Sequence, residues 1–156
     1  MPRLDFNGKA LRNFFPLRGT HSDYGTLTLV TADGPGLQVR TATGAWEDVP
    51  YVPDGIQVNI GDMLERWTND QWVSTHHRVL VPENPEARQQ RRQAIAFFLM
   101  ANYDAVIEPV ATTVSPTHPS KYEPIPAGEE MMAKISRQYS REGEAIEDLR
   151  ERVVQQ

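Results

Sequence analysis

The sequence contains no cysteine, which excludes disulfides, zinc–thiolate sites and cysteine nucleophiles together. Any metal ion must therefore be held by nitrogen and oxygen atoms. The sequence also lacks an apolar run long enough to span a membrane. We expect no signal peptide in residues 1–15, because Arg3, Asp5, Lys9 and Arg12 interrupt their apolar residues. We therefore expect a cytoplasmic protein with no membrane partner.

An excess of positive charge is missing as well, since 16 Lys and Arg stand against 21 Asp and Glu, for a net charge of -5. Basic residues cluster only at residues 88–92. Counterion release by basic side chains supplies most of the affinity for nucleic acids, so we expect no nucleic-acid partner. At 156 residues the chain has the size of one ordinary domain and can bury about two-thirds of its unfolded surface.

Short segments rich in β-branched and apolar residues, separated by Gly, Pro, Asp and Asn, predict a mainly β fold. The predicted strands are residues 26–31, 37–40, 46–49, 56–60, 72–81 and 93–100. Residues 63–68 fit either a strand or a helical turn, and Asn69 with Asp70 predicts a hairpin turn into the strand at 72–81. Many short strands with frequent turns predict a sandwich or barrel of the jelly-roll type, with a helix packed outside.

The chain divides into four predicted segments: a short N-terminal remnant at 1–16, a core at 17–105, a proline-rich arm at 106–128 and a helical segment at 129–156. In the arm, His118 is interpreted as an ordinary surface histidine. Apolar residues at helical spacing predict a packing face on the last segment; they are Met131, Met132, Ile135 and Tyr139, followed after Gly143 by Ile146, Leu149 and Val153. The second of these runs could instead mediate self-association.

His21 and Asp23 are the first candidates for a metal site. Side chains two residues apart project to the same side of an extended backbone, so this imidazole and this carboxylate can bind one ion. A third ligand from a distant strand would complete the two-histidine, one-carboxylate triad of non-haem Fe(II) oxygenases. The spacing alone is weak evidence for a metal site, because such a pair is more often an ordinary polar pair at the protein surface.

Six motifs stand in order along the chain. Residues 21–29 are similar to the pattern H-T-D-x-G-x-L-T-L-L. The others are 36–39 (G-L-Q-V), 44–50 (G-x-W-x-D-V-P), 58–64 (V-N-x-G-D-x-L), 67–69 (T-N-G) and 74–79 (S-T-x-H-R-V). Together they resemble the Fe(II)- and 2-oxoglutarate-dependent dioxygenases of the isopenicillin-N-synthase type. The resemblance covers roughly residues 20 to 140 and implies a double-stranded β-helix, which is a jelly-roll core followed by C-terminal helices.

The resemblance implies that His21, Asp23 and His77 bind Fe(II). His77 takes this role rather than His76, because it directly precedes Arg78-Val79 and because neighbouring strand residues face opposite ways.

For the co-substrate, the resemblance implies that Arg92 binds the far carboxylate of 2-oxoglutarate. Ala94 stands where the family has a serine whose hydroxyl binds the same carboxylate. Losing that hydrogen bond would weaken binding by about 1.5–3 kcal/mol.

The implied activity couples the oxidative decarboxylation of 2-oxoglutarate by O2 to hydroxylation, desaturation or cyclisation of a small organic substrate, with ascorbate as a supporting reductant. The family's upstream half is expected to be largely absent, with Asn13 to Pro16 as a vestige in which Phe15 replaces a tyrosine. Two alternatives stay open. One is a truncated or degenerate metal-binding barrel without turnover, and the other is an oxidase that uses no 2-oxoglutarate.

Overall fold

The computed structural model describes residues 18–80, 92–137 and 140. Over this part of the chain the protein is mainly β, as the sequence predicts. The strands are β1 (Arg18–His21), β2 (Leu27–Ala32), β3 (Leu37–Arg40), β4 (Trp46–Asp48), β5 (Gln57–Ile60), β6 (His77–Val79), β7 (Ala94–Leu99), β8 (Val106–Ile107) and β9 (Ile125–Pro126). Helix α1 spans Asp62–Trp67, a 3-10 turn spans Ala111–Thr113, and helix α2 covers residues 127–137.

Two antiparallel sheets organise these strands. The first sheet has the order β1-β6-β3-β4 and the second has the order β5-β2-β7, while β8 and β9 form a separate two-stranded ladder. Consecutive strands are not always neighbours, since β6 lies between β1 and β3. The first sheet therefore brings the end of β1 beside the start of β6, although more than fifty residues separate them in the chain.

One row of side chains on the first sheet joins three of the sequence motifs. Arg78 Nε donates to Gln38 Oε1 at 2.9 Å, and Gln38 Nε2 donates to Asp48 Oδ1 at 2.8 Å. The Arg78 guanidinium also lies 4.0 Å from the centre of the Trp46 ring, a cation–π contact. Because Arg78 engages this row, its neighbour His77 is turned to the opposite face of the sheet.

Strand β5 carries its polar residues, Gln57 and Asn59, on one face of the second sheet and its apolar residues, Val58 and Ile60, on the other. Thr28 pairs with Asn59, and both side chains lie on the protected face, where Thr28 is 2% exposed. The opposite face leaves large apolar side chains open to solvent, including Val58 at 58%, Ile95 at 65% and Phe97 at 62%. The period-two pattern of residues 56–60 is thus confirmed, with its polar face turned inward.

A small core forms where α1 meets the C-terminal part of the chain. Met63, Ile107 and Ala127 are buried there, with further apolar contacts from Trp67, Ala101, Ile125 and Met131.

Asn69 is fully buried beside this core and bonds to the proline-rich arm. Its Nδ2 donates to the Pro119 carbonyl at 3.1 Å, and its Oδ1 accepts from the Lys121 amide at 2.9 Å. This side chain therefore fixes the arm against the end of α1.

The structure corrects the predicted hairpin at residues 69–81. Asn69 and Asp70 do adopt positive φ angles, 52° and 65°, but they end helix α1 instead of joining two strands. Residues 63–68 are helical, the second of the two alternatives. Among the described residues of the predicted strand, 72–80, the observed strand is His77–Val79.

Two further predictions are wrong in part. His118 is not an ordinary surface residue, because it is partly buried and its Nε2 lies 3.1 Å from the Asn69 carbonyl oxygen. On α2, Met131 packs against the core as predicted, but Met132 is 50% exposed.

Residues 1–16, most of the loop at 82–92, Tyr139 and the run after Gly143 lie outside the described residues. The division into four segments stays a prediction.

No helix among the described residues combines the length and the apolar character that crossing a bilayer requires.

Candidate metal centre

His21, Asp23 and His77 lie together in the structure. One potential ligand atom from each residue is within 4.8 Å of the others, and among the described residues these three make up the only such cluster of histidine and acidic side chains. The Asp23 Oδ1 atom lies 3.7 Å from Nε2 of His21 and 3.7 Å from Nε2 of His77. His76 is exposed and is not part of the cluster.

Strand pairing explains how the two histidines meet. His21 at the end of β1 is the register partner of His77 at the start of β6, and their ring centres are 4.3 Å apart with the planes tilted by 56°. Side chains directly opposite each other on an antiparallel pair lie on the same face. Two histidines far apart in sequence thereby become neighbours.

A main-chain carbonyl orients each imidazole. Nδ1 of His21 lies 2.7 Å from the Gly19 oxygen, and Nδ1 of His77 lies 3.1 Å from the Thr75 oxygen. A carbonyl oxygen only accepts hydrogen bonds, so the network assigns a proton to Nδ1 in both rings, and in the neutral imidazole this tautomer carries its lone pair on Nε2. Both rings are therefore in the tautomer that binds a metal through Nε2.

Asp23 is the most buried member of the cluster, with 5% of its surface exposed. Asn59 Nδ2 donates a 2.8 Å hydrogen bond to its Oδ2. Burial by itself would raise the pKa of Asp23. The bond from Asn59, a longer interaction with the buried Thr28 hydroxyl and the nearby imidazoles outweigh burial, so the pKa of Asp23 lies below its usual value. The carboxylate is thus ionised, as a metal ligand must be.

The main chain of Asp23 is held by the segment that leads into α1. The Asp62 amide donates to the Asp23 carbonyl at 2.8 Å, and the Gly61 amide donates to the Thr26 carbonyl at 2.8 Å. A Cβ atom on Gly61 would lie 2.3 Å from the Gly25 carbonyl oxygen, so only glycine permits this approach. The G-D pair of the fourth motif therefore has a local structural role.

The Asp62 side chain connects the turn that carries Ser22 and Asp23 to α2. Its carboxylate accepts a hydrogen bond from the Ser22 hydroxyl at 3.2 Å and forms an ion pair with Lys134. Sequence reasoning identified neither Asn59 nor the Asp62–Lys134 pair as part of this region. The only available signal was that Asn59 and Asp62 belong to a motif that matches the family.

Arg92 and Ala94 are not part of the cluster. Asp23 lies near the Leu27 end of β2, whereas Ala94 pairs with Ala32 at the other end. These ends are five residues apart, or roughly 17 Å along a strand. Arg92 is half-buried and donates through Nε to the carbonyls of Gly34 and Pro35, at 3.2 and 2.8 Å.

A cavity lies beside Arg92 at this second end of the sheet. Its volume is about 160 Å³, and its lining includes Ala32, Leu37, Val49, Tyr51 and Arg92. The three clustered residues do not line it.

The cluster fits a metal ion by both its chemistry and its spacing. Two imidazole nitrogens and one carboxylate oxygen form the donor set of non-haem Fe(II) centres. Ligand atoms at about 2.0–2.2 Å from one ion lie at most roughly 4 Å apart. The two 3.7 Å separations from Asp23 Oδ1 satisfy this limit, whereas the full cluster spreads to 4.8 Å and must close up slightly around an ion.

Residues 11–101 match the pattern of the 2OG-Fe(II) oxygenase superfamily. The chain belongs to this superfamily. The predicted resemblance to Fe(II)- and 2-oxoglutarate-dependent dioxygenases is thus confirmed at the superfamily level, and the predicted Fe(II) and 2-oxoglutarate are the metal and co-substrate of the superfamily. The supporting role of ascorbate stays a prediction.

Several known oxygenases are similar to this chain. Homoarginine-6-hydroxylase 2-ODD-233 of Oryza sativa subsp. japonica is 39% identical over 120 residues, which are 75% of this chain and 35% of that protein. A full-length Neurospora crassa protein crystallised with alpha-KG superposes with a TM-score of 0.70 at 34% identity, covering 78% of this chain and 41% of that one. JOX2 in complex with 2OG, Fe and JA superposes with a TM-score of 0.64 at 31% identity, covering 73% and 32%. The chain spans 35% or less of the length of the first three curated relatives.

Proposed function

We propose that this chain supplies the iron site of a 2-oxoglutarate-dependent oxygenase of the isopenicillin-N-synthase type, with His21, Asp23 and His77 as the three metal ligands. The observation that carries the proposal is the convergence of their ligand atoms within 4.8 Å. Superfamily membership supports it. In this proposal the two antiparallel sheets are the two walls of a jelly roll, and the ligands lie near one end of it.

When bound, Fe(II) and 2-oxoglutarate would let O2 act as the oxidant, with 2-oxoglutarate converted to succinate and CO2 and a small organic substrate oxidised by two electrons. The chain's own residues bind and orient these partners. His21 and His77 present Nε2, and Asp23 presents an ionised oxygen from a site largely closed to water. Two imidazole nitrogens and one carboxylate oxygen together favour the binding of a divalent cation.

Arg92 is the proposed anchor for the far carboxylate of 2-oxoglutarate. Arg92 stands two residues before Ala94, the first residue of β7. On an extended backbone this spacing places both side chains on the same face. Its Nε donates to the carbonyls of Gly34 and Pro35, which orients the guanidinium. The two Nη groups are the donors that would form a bidentate hydrogen bond to a carboxylate. The assignment rests on the sequence resemblance, because the cavity beside Arg92 lies at the other end of β2 from the cluster. A 2-oxoglutarate molecule bound to the ion reaches Arg92 only if the Arg92 segment lies closer to the ion than it does in this structure.

An anaerobic titration tests the proposal. Adding Fe(II) and 2-oxoglutarate to the purified chain should produce a visible metal-to-ligand charge-transfer band. The band should disappear in His77→Ala and persist in His76→Ala, which removes the exposed neighbouring imidazole as a matched control. If no band forms, or if His77→Ala leaves it unchanged, the ligand assignment is wrong.

Turnover needs a separate measurement. Succinate release in the presence of Fe(II), ascorbate and 2-oxoglutarate should accompany oxygen consumption. Metal binding without succinate would support a metal-binding module without turnover. Oxygen consumption that is independent of added 2-oxoglutarate would support an oxidase.

A further inference from the structure

We propose that Asn59 is a positioning residue that reserves Oδ1 of Asp23 for the metal ion by holding Oδ2. The inference rests on the proposed metal centre and concerns how the chain prepares the carboxylate. It predicts that Asp23 binds metal through one oxygen and that this mode depends on Asn59.

The two oxygens of Asp23 have different surroundings. Oδ1 lies 3.7 Å from the Nε2 atoms of both histidines, so it faces the position where an ion would bind. Oδ2 accepts the 2.8 Å bond from the amide nitrogen of Asn59. Since Asp23 is 5% exposed, bulk water cannot readily replace that donor. The asymmetry is therefore built by the protein.

Asn59 is itself firmly placed. It lies within β5, where its main chain pairs with Thr28 of the central strand β2. Two and three residues further on, the Gly61 and Asp62 amides donate to the carbonyls of Thr26 and Asp23, respectively. The segment from Asn59 to Asp62 thus holds both the side chain and the main chain of one ligand, which restricts rotation of the carboxylate.

Restricting this rotation has consequences for metal binding. A carboxylate with two free oxygens can bind an ion through one or both of them, and the second mode occupies an additional coordination position. A hydrogen bond to one oxygen favours binding through the other and keeps that position open for co-substrate. Loss of such an outer partner typically lowers metal affinity about 10- to 100-fold.

Co(II) is a suitable probe because its visible absorption reports the number and arrangement of its ligands. We would titrate wild-type protein, Asn59→Leu and Gln57→Leu anaerobically with Co(II), without co-substrate. Gln57 is the matched control: its amide lies on the same face of β5, two residues away, and donates to the Pro50 carbonyl at 3.3 Å. The expected result is a Kd about 10- to 100-fold weaker for Asn59→Leu, with bands changed in position or intensity, and neither change for Gln57→Leu.

The spectrum separates positioning from general stability. A variant that only unfolds more easily would bind less Co(II) but would show the wild-type spectrum once loaded. If Asn59→Leu does not fold, Asn59→Ser, whose hydroxyl is too short to reach Oδ2, takes its place. A loaded spectrum and Kd like those of the wild type would overturn the role of Asn59 while leaving the metal site intact. If the wild-type protein binds no Co(II), or if His77→Ala binds it equally well, the proposed metal centre itself is wrong and the inference falls with it.

Discussion

Lys134 on α2 forms an ion pair with Asp62 at the start of α1, and both side chains are largely shielded, with 21% and 15% of their surfaces exposed. The same Asp62 carboxylate accepts a hydrogen bond from the hydroxyl of Ser22, which lies between the proposed ligands His21 and Asp23 in the sequence. The C-terminal helix is therefore bonded to the turn that carries Asp23.

Replacing Lys134 with Met should destabilise the protein. The change leaves the Asp62 carboxylate without its cationic partner and also removes a weaker 3.8 Å pair with Glu130, so we expect a loss of about 1–3 kcal/mol in the free energy of unfolding. Urea denaturation measures it. Arg137→Met is the control, because Arg137 is 60% exposed and only 4.0 Å from Glu130, and it should cost less than about 0.5 kcal/mol. Equal effects of the two variants would contradict the role of the Lys134 pair.

Gly61 should not tolerate even alanine. The new methyl group would lie 2.3 Å from the Gly25 carbonyl oxygen, so the chain between Asp23 and Thr26 would have to move. We expect a loss of about 1–3 kcal/mol in stability, measured by denaturation, together with weaker metal binding. Gly19→Ala is the control, since its Cβ atom would meet nothing within 4 Å. A Gly61→Ala variant with unchanged stability would show that the segment adapts more easily than its contacts indicate.

The hydrogen-bonded pair of Tyr122 and Asp70 should stabilise the protein near neutral pH and lose this contribution at both high and low pH. The phenol donates a hydrogen bond to the carboxylate. Burial, then this bond and the Asp70 charge, raise the pKa of Tyr122 from 10.0 to about 12. Burial would raise the pKa of Asp70, but the bonds from Lys121 and Tyr122 outweigh it and lower that pKa below its ordinary 3.8.

The signs of the two contributions follow from these shifts. Tyr122 is protonated in the stabilising pair, so its contribution is complete below pH 10 and is lost as the pH rises towards 12. Asp70 must be ionised, so its contribution is present above about pH 4 and is lost on acidification. The stability difference between wild type and Tyr122→Phe, measured by denaturation across pH, should shrink in both windows. A difference that is constant with pH would show that the pair does not contribute.

Restoring a hydroxyl at Ala94 should strengthen the binding of 2-oxoglutarate if Arg92 is its anchor. A hydrogen bond to a charged group is worth about 1.5–3 kcal/mol, so Ala94→Ser should lower the Kd for 2-oxoglutarate by roughly one to two orders of magnitude. The charge-transfer band of the Fe(II) complex provides the measurement. Ala96→Ser adds a hydroxyl two residues along the same face of β7 and should leave the Kd unchanged. An equal gain in both variants would place the carboxylate elsewhere.

Much of the candidate site could be predicted because it depends on local alternation and on ordered motifs. Alternation along a strand favours only one of His76 and His77 as a ligand, the match to the sixth motif selects His77, and the structure places His77 in the cluster with His76 exposed. The hairpin expected at Asn69 and Asp70 was wrong because residues of positive φ can end a helix as well as join two strands. Turn-forming residues specify a local backbone shape but not the elements on either side of it.

The buried polar contacts could not be predicted in the same way. Asn69 and Asn59 are ordinary polar residues in a sequence, yet one is fully buried against the proline-rich arm and the other bonds to Asp23. Both partners are more than thirty residues away along the chain. Such contacts follow from strand pairing and helix packing, which local patterns do not encode.

By itself, the sequence determined that any metal site must use nitrogen and oxygen donors, because cysteine is absent, and its motifs singled out His21, Asp23 and His77. Only the tertiary structure decided which face of the second sheet is the inner one. A period-two pattern defines two faces equally well, and hydrophobicity alone would have buried Val58 rather than Asn59. The structure instead exposes Val58 and turns Asn59 towards Asp23, because the buried carboxylate needs a hydrogen-bond donor.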